Sequence, residues 1–375
     1  MSQINVRNLS NENVDGAPDI VGVSTFSATS YIVPPVGTTA QRPENPQGGD
    51  LRFNTDTASL EYFKGDTLGW SQIEMTSPDL NGGARIIAAG GYASPGANSD
   101  VIDYQQAAAP GNFVDFGNLT AAKGFIAEAA GASRTRGVFG GGIDGNNTID
   151  YITVSSTGNA TDFGDLTYNA MQASGFSSQT RGIFAGGYSP QPSIVDTINY
   201  VTIAQTGNAV DFGNLTAAWR GAGGCASSTR GIWAGGRDPS GISNVIQYIT
   251  ITTTGDASDF GDLTDQKDFV AAGSNSTRGI ITGGRTPSIS NVIEYITIAT
   301  LGNATNFGDT VQPIDEHAGA ATSIRMFSLG GTDPGYTEDV EYATIATLGN
   351  GTDFGDLTVA RHHCGAITNA HGGLG

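Results

Sequence analysis

The chain has 375 residues, enough for one large all-β domain with a small extra module or for two ordinary domains. Only 14% of its residues are charged and the net charge is -19; a surface of that sign repels phosphate polymers and anionic membranes, so nucleic acid is not an expected partner. The 55 glycines and 14 prolines read as turn punctuation in a folded chain, and no apolar run is long enough to span a bilayer, so no membrane insertion is expected.

The opening stretch MSQINVRNLSNENV is polar and lacks the apolar core that secretion needs. Two cysteines, Cys225 and Cys364, fit a chain folded in a reducing cytosol. Residues 1–80 differ in wording from the rest and form an expected β-rich module. Within it, GDLRFNTDTASLEYFKG predicts a hairpin: an alternating strand, a polar turn at NTDTA, and a returning aromatic strand.

From residue 81 to 375 the sequence repeats. An Arg ahead of a Gly pair recurs as Arg85, Arg136, Arg181, Arg230, Arg278 and Arg325, in runs such as RGIFAGG and RGIWAGG. Each copy continues with a β-branched strand holding a Tyr (Tyr104, Tyr151, Tyr200, Tyr248, Tyr295, Tyr342), then a DFG-like strand (Phe116, Phe163, Phe212, Phe260, Phe307, Phe354), then a segment of small residues such as GAGGCASS. Four short strands repeated six times, with no helical period, predict an all-β fold: a six-bladed β-propeller of four-stranded blades. Small residues suit the crowded strand nearest the axis, and Tyr and Phe suit the wedge between blades. The first copy lacks a small-residue strand ahead of it, whereas RHHCGAITNAHGG at the C-terminus has one to spare. The C-terminal strand is therefore expected to pair near Arg85, which also separates the two cysteines.

Residues recurring in every copy mark architecture rather than one active site. The six arginines are expected to be structural, each paired with the acid of DFG (Asp115, Asp162, Asp211, Asp259, Asp353), with Asn306 breaking the series. The Asn-x-Thr sequons at Asn159, Asn303 and Asn350 belong to the repeated GNAT-type turn. His362, His363 and His371 cluster with Cys364, but H-H-C-x6-H is not a zinc spacing, and neighbours in a strand point to opposite faces. The DGNN at 144–147 lacks the later Glu of a calcium loop. No metal, no cofactor and, for want of a non-repeated carboxylate pair or an Asp box, no enzymatic activity is expected.

In a four-stranded antiparallel blade the second-to-third and fourth-to-first connections emerge at one end. Those connections vary here (YSPQPSIVDT, RDPSGIS, TDPGYTED), while those at the other end (SSTR, TTGNA, TLGNA) hardly change. The variable end carries Tyr188, Trp219, Arg237, Arg285 and Tyr336, types suited to stacking on sugar rings and bonding their hydroxyls. These five are the expected binding residues.

The Gly pair, the Tyr and the fourth-strand aromatic resemble the kelch family, with Phe standing where kelch blades carry Trp. In residues 1–80, GTTAQRP, GDLRFNTDT, the aromatic pair and the following Trp resemble the small module of bacteriophage tail fibres and virion appendages, notably of cyanophages, and DIVGVSTFSATSY has the same flavour. That resemblance implies a virion protein, a tail fibre or appendage, held to other virion proteins through residues 1–80, homo-oligomeric in the particle, and meeting a host-surface glycan or receptor with the variable end. It leaves open a purely structural tail or head decoration and, further off, a polysaccharide-degrading enzyme.

Overall fold

The structure, a computed structural model, describes residues 34–56, 59–72, 84–126, 130–143, 147–332 and 334–374. DIVGVSTFSATSY and most of DGNN lie outside them. The chain forms two compact units, Met1–Thr76 and Ser77–Gly375.

In the first unit, Val36–Gly37 pairs parallel with Leu51–Asn54, which pairs antiparallel with Ser59–Phe63 and through it with Trp70–Gln72. The expected hairpin is thus present, with Leu51 opposite Tyr62. Its wording has a physical centre in the fully buried Glu61, which accepts bonds from Arg42 (2.6 Å), Arg52 (2.8 Å) and Asn54 (3.1 Å). Both guanidiniums lie over the Trp70 ring. The Arg42 hydrogen bond holds the Glu61 carboxyl below its usual range.

Among its described residues the second unit is all-β, with six four-stranded antiparallel sheets and three smaller two- and three-stranded ones. Sheet 2 runs Ala130–Ala132, Arg136–Gly140, Thr148–Thr153, Thr161–Asp165, and sheet 3 runs Ser174–Ser177, Arg181–Ala185, Thr197–Thr202, Val210–Asn214. Sheet 4 is Gly223–Ala226, Arg230–Ala234, Val245–Thr250, Ser258–Asp262; sheet 5 is Ala271–Ser274, Arg278–Thr282, Val292–Thr297, Thr305–Asp309. Sheet 6 is Ala318–Ala321, Arg325–Leu329, Asp339–Thr344, Thr352–Asp356. Sheet 1 holds Arg85–Ala89, Val101–Gln106 and Val114–Asn118, and takes its first strand from the other end of the sequence: Gly365–Thr368 pairs antiparallel with Arg85–Ala89, Thr368 facing Ile86.

Small residues let these first strands lie against one another, sheet 2 beside 3, 3 beside 4, and on through sheet 6 to sheet 1 and back to sheet 2. Ser177 bonds both backbone groups of Ala132, and Ser274 both of Ala226. A Cβ on Gly224 would sit 2.4 Å from the Gly175 carbonyl oxygen, so nothing larger fits there.

The recurring Arg, Tyr and Phe form one stack in each sheet. The guanidinium lies 4.5 to 4.7 Å from the centre of its own sheet's Tyr ring, and that ring meets the DFG Phe edge-on. The expected ion pair with the DFG acid is not formed. Those acids are exposed, and each Arg instead donates from Nη1 to a main-chain carbonyl of the following sheet: Arg85 to Val154, Arg136 to Ile203, Arg181 to Ile251, Arg230 to Ile298, Arg278 to Ile345, and Arg325 of sheet 6 to Ala107 of sheet 1. Flat on the ring, the guanidinium points past its own strand, so a neighbour's carbonyl lies within reach and the DFG acid, turned to water, does not.

The GNAT-type turn runs the opposite way. Its Gly N–H donates to the Phe carbonyl of the preceding sheet's DFG strand, from Gly158 to Phe116 through Gly349 to Phe307, and Gly111 of sheet 1 to Phe354 of sheet 6. The turn's Asn or Asp side chain accepts from the same strand, as Asn159 does from Asn118 N–H. The Gly of DFG is required by this docking: at Gly261, with φ +150°, a Cβ would stand 2.5 Å from the Gly302 oxygen.

A third series is polar and buried. The residue before each Tyr (Asp103, Asp150, Asn199, Gln247, Glu294, Glu341) reaches the preceding sheet's fourth-to-first connection. Where that connection supplies a buried cation the partner is an acid: Lys123 with Asp150 (2.9 Å), Lys267 with Glu294 (2.7 Å), Arg361 with Asp103 (2.9 Å). Where it supplies Ala170 or Trp219, the facing residue is Asn199 or Gln247. Ile314 breaks the rule, because the residue facing its connection is Glu341.

Candidate functional site

The two sets of variable connections lie at one end of the sheets, where they bond to each other: Met171 bridges Tyr188, Arg220 bridges Arg237, Asp268 bridges Arg285, and Arg361–His362 pairs with Tyr92–Ala93. Each fourth-to-first connection then turns through one left-handed residue: Phe125, Gln172, Gly221, Phe269, Glu316 and His363, with φ between 51° and 61°. Their backbones are chained, each N–H from Gln172 to His363 donating to the carbonyl of the equivalent residue one sheet earlier, at 2.7 to 3.2 Å. A regular backbone therefore presents six equivalent positions, filled by two Phe and by Gln, Gly, Glu and His. Five are non-glycine residues in a region costly to them, which the chained hydrogen bonds sustain.

Four of these side chains, Phe125, Gln172, Phe269 and Glu316, line a cavity of about 710 Å³. Tyr188, Arg220, Arg237 and Arg285 line it as well. Arg220 stacks on Tyr188 (4.9 Å) and Phe269 (5.2 Å) and donates to Gln172 Oε1 at 2.9 Å. Burial lowers its pKa. Arg237 pairs with the buried Asp268 (2.9 Å), and Arg285 with the buried Asp315 (2.5 Å) while lying over Phe269. Burial pushes the Asp315 carboxyl up, against the Thr332 hydroxyl and Arg285. The cavity thus combines ring faces with fixed guanidinium and amide donors, which suits a polyhydroxylated ligand.

Of the five residues expected to bind, Tyr188, Arg237 and Arg285 line the cavity. Tyr336, 37% exposed, lies beside it, tilted over His362 at 4.6 Å with Tyr92 at its edge. Trp219 is a correction. It is 3% exposed and packs in the core between sheets 3 and 4, because it occupies the inward position that holds Lys123, Lys267 and Arg361 in other copies. His317, next to Glu316 in the connection to sheet 6, is buried as well, with its pKa lowered by burial to about 3.

A second correction concerns the histidines. His362 ends its strand and His363 is left-handed, so the chain kinks and the two rings lie on the same side, 5.0 Å apart, instead of on opposite faces. Both meet Glu316: His362 Nδ1 is 2.8 Å and His363 Nε2 3.6 Å from its Oε2. Burial pushes the Glu316 carboxyl up, but the two imidazoles outweigh it and hold the group well below the usual range. Burial lowers His363. His371 is elsewhere, bonded to Ala132 and Ser177.

Sequence reasoning missed the left-handed series. Alignment of the copies on the Phe of DFG would have found the series: two residues beyond the inward position and just ahead of the small-residue strand, the copies carry Phe, Gln, Gly, Phe, Glu and His in turn. No family model matches the sequence, and no curated protein matches it.

Proposed function

We propose that the six sheets are blades of one kelch-like β-propeller, and that the chain is a bacteriophage virion protein, a tail fibre or similar appendage, whose cavity end meets a host-surface saccharide. Support for the propeller comes from the first-strand contacts and from the Arg-to-carbonyl and turn-to-strand series, each of which returns from sheet 6 to sheet 1. The wording of the N-terminal unit supports the virion reading and a role in joining other virion proteins. One observation carries the binding role: the six left-handed positions share a backbone while holding Phe twice and Gln, Gly, Glu and His once each, and four of them line a cavity rich in rings and guanidiniums.

The test is calorimetry and array binding of the purified full chain against host-surface polysaccharides, with Tyr188→Ala and Arg237→Ala as variants. Saccharide binding that each substitution weakens about tenfold, as loss of one stacking or charged contact costs about 1.4 kcal/mol, supports the reading. Absence of binding, together with a particle map in which the cavity end is buried against another virion protein, replaces it with a purely structural role.

A further inference from the structure

We propose that Glu316, His362 and His363 form a binding site for a divalent transition-metal ion of the zinc class. Among the described residues this is the group of three ligating side chains whose donor atoms all lie within 4.8 Å of one another. Two imidazole nitrogens and one carboxylate oxygen are a donor set that such ions take, with a further position left for water or a ligand. Tetrahedral ligands held at about 2.0 to 2.1 Å from an ion stand a little over 3 Å apart, and the contacts of 2.8 and 3.6 Å to Glu316 Oε2 bracket that spacing.

The hydrogen bonding favours an ion over a simple ion pair. His362 Nδ1 is near Glu316 Oε2 yet not aligned with it as a hydrogen bond, and His362 Nε2, also buried, has no hydrogen-bond partner. The carboxylate is divided: Arg285 approaches Oε1 at 3.5 Å and leaves Oε2 to the imidazoles. Gln172 Nε2 faces His363 Nε2 at 3.4 Å, long for a hydrogen bond and easily displaced.

The backbone is already ordered for the task. Glu316 and His363 are neighbours in the left-handed series, locked by the His363 N–H to Glu316 carbonyl bond of 2.7 Å. His362 is held by strand pairing to Tyr92 and by the rings of Tyr92, Phe125 and Tyr336. Little reorganisation remains to be made when an ion arrives. Because Glu316 also lines the cavity, the ion would sit at its edge. The proposal stands whether or not the cavity takes a saccharide.

The experiment uses the full chain stripped with chelator, then titrated with Zn²⁺ by calorimetry and with Co²⁺ by visible absorption. The variants are Glu316→Gln, which keeps the shape, and His363→Asn, since Asn tolerates a left-handed backbone. The expected result is one ion per chain, a Co²⁺ band of low-coordinate nitrogen and oxygen ligation, a rise of melting temperature with Zn²⁺, and a loss of affinity of at least about 10-fold in Glu316→Gln and more in His363→Asn. Circular dichroism and melting without metal establish that the variants fold. Absence of stoichiometric binding, or binding equal in the folded variants, overturns the proposal.

Discussion

Glu341→Gln is expected to stabilise the protein at and above neutral pH. Glu341 faces the connection where Ile314 stands in place of a cation, and its environment pushes its pKa from the usual 4.5 to about 7, burial first and the charge of Asp339 in addition, against the Val311 N–H bond of 2.7 Å. A raised carboxyl pKa means that the folded protein binds more protons than the unfolded chain between those two values. Stability is therefore greatest below pH 4.5, falls as the pH rises through the interval, and stays lower above about 7. At about 1.4 kcal/mol per pH unit the interval amounts to about 3 kcal/mol. Glutamine keeps an oxygen for the Val311 N–H, as Gln247 does for Thr216, but leaves its amide nitrogen short of a partner, as Gln247 Nε2 is. Allowing about 1 kcal/mol for that, the variant should gain about 2 kcal/mol at pH 8 and lose slightly at pH 4. Urea unfolding of both proteins from pH 4 to 8.5 gives the difference, in which the other groups cancel, His371 with its value lowered to about 4 among them. A difference that does not change between pH 5 and 8 would refute the reasoning.

Two further substitutions test the links between sheets. Arg230→Ala, which removes both the stacking on Tyr248 and the bond to the Ile298 carbonyl, should cost about 2 kcal/mol in denaturant unfolding, and Arg230→Lys should recover little of it, because an ammonium cannot lie flat on the ring while reaching across. A full recovery by Lys would mean that charge alone matters there. Gly261→Ala should cost about 2 kcal/mol or more, since the new methyl meets the Gly302 oxygen in a left-hand φ range; an unchanged melting temperature would show that the turn can draw back freely.

The six copies, their four strands and the spare C-terminal strand were legible because repetition writes each structural demand six times. Partners were harder. Sequence gives the Arg a charge and so points to an acid, but the nearest acceptor is a carbonyl that any residue could supply, and only the path of the guanidinium over Tyr selects it. Trp219 looked like a surface ring because its neighbours are loop residues, whereas its place two positions before a left-handed turn directs it inward. The pairing of His362 with His363 was concealed by the same turn: an alternating strand separates neighbours, and a left-handed kink, which a His codon does not announce, brings them together.

The buried polar series also acts as a set of addresses. Sheets this similar in backbone and stacking residues could associate out of order, or with a sheet of another chain, and keep nearly all of their apolar contacts. The partners deny that freedom. Lys123 set against Asn199, or Asp150 set against Ala170, would bury a charge without its counter-charge, at a cost of several kcal/mol, whereas each sheet in its own place meets its complement. The junction of sheets 5 and 6, where Ile314 offers Glu341 nothing, is the one with the weakest such label among the six. A molecule assembled from near-identical parts thus carries its assembly order in the few atoms by which the parts differ.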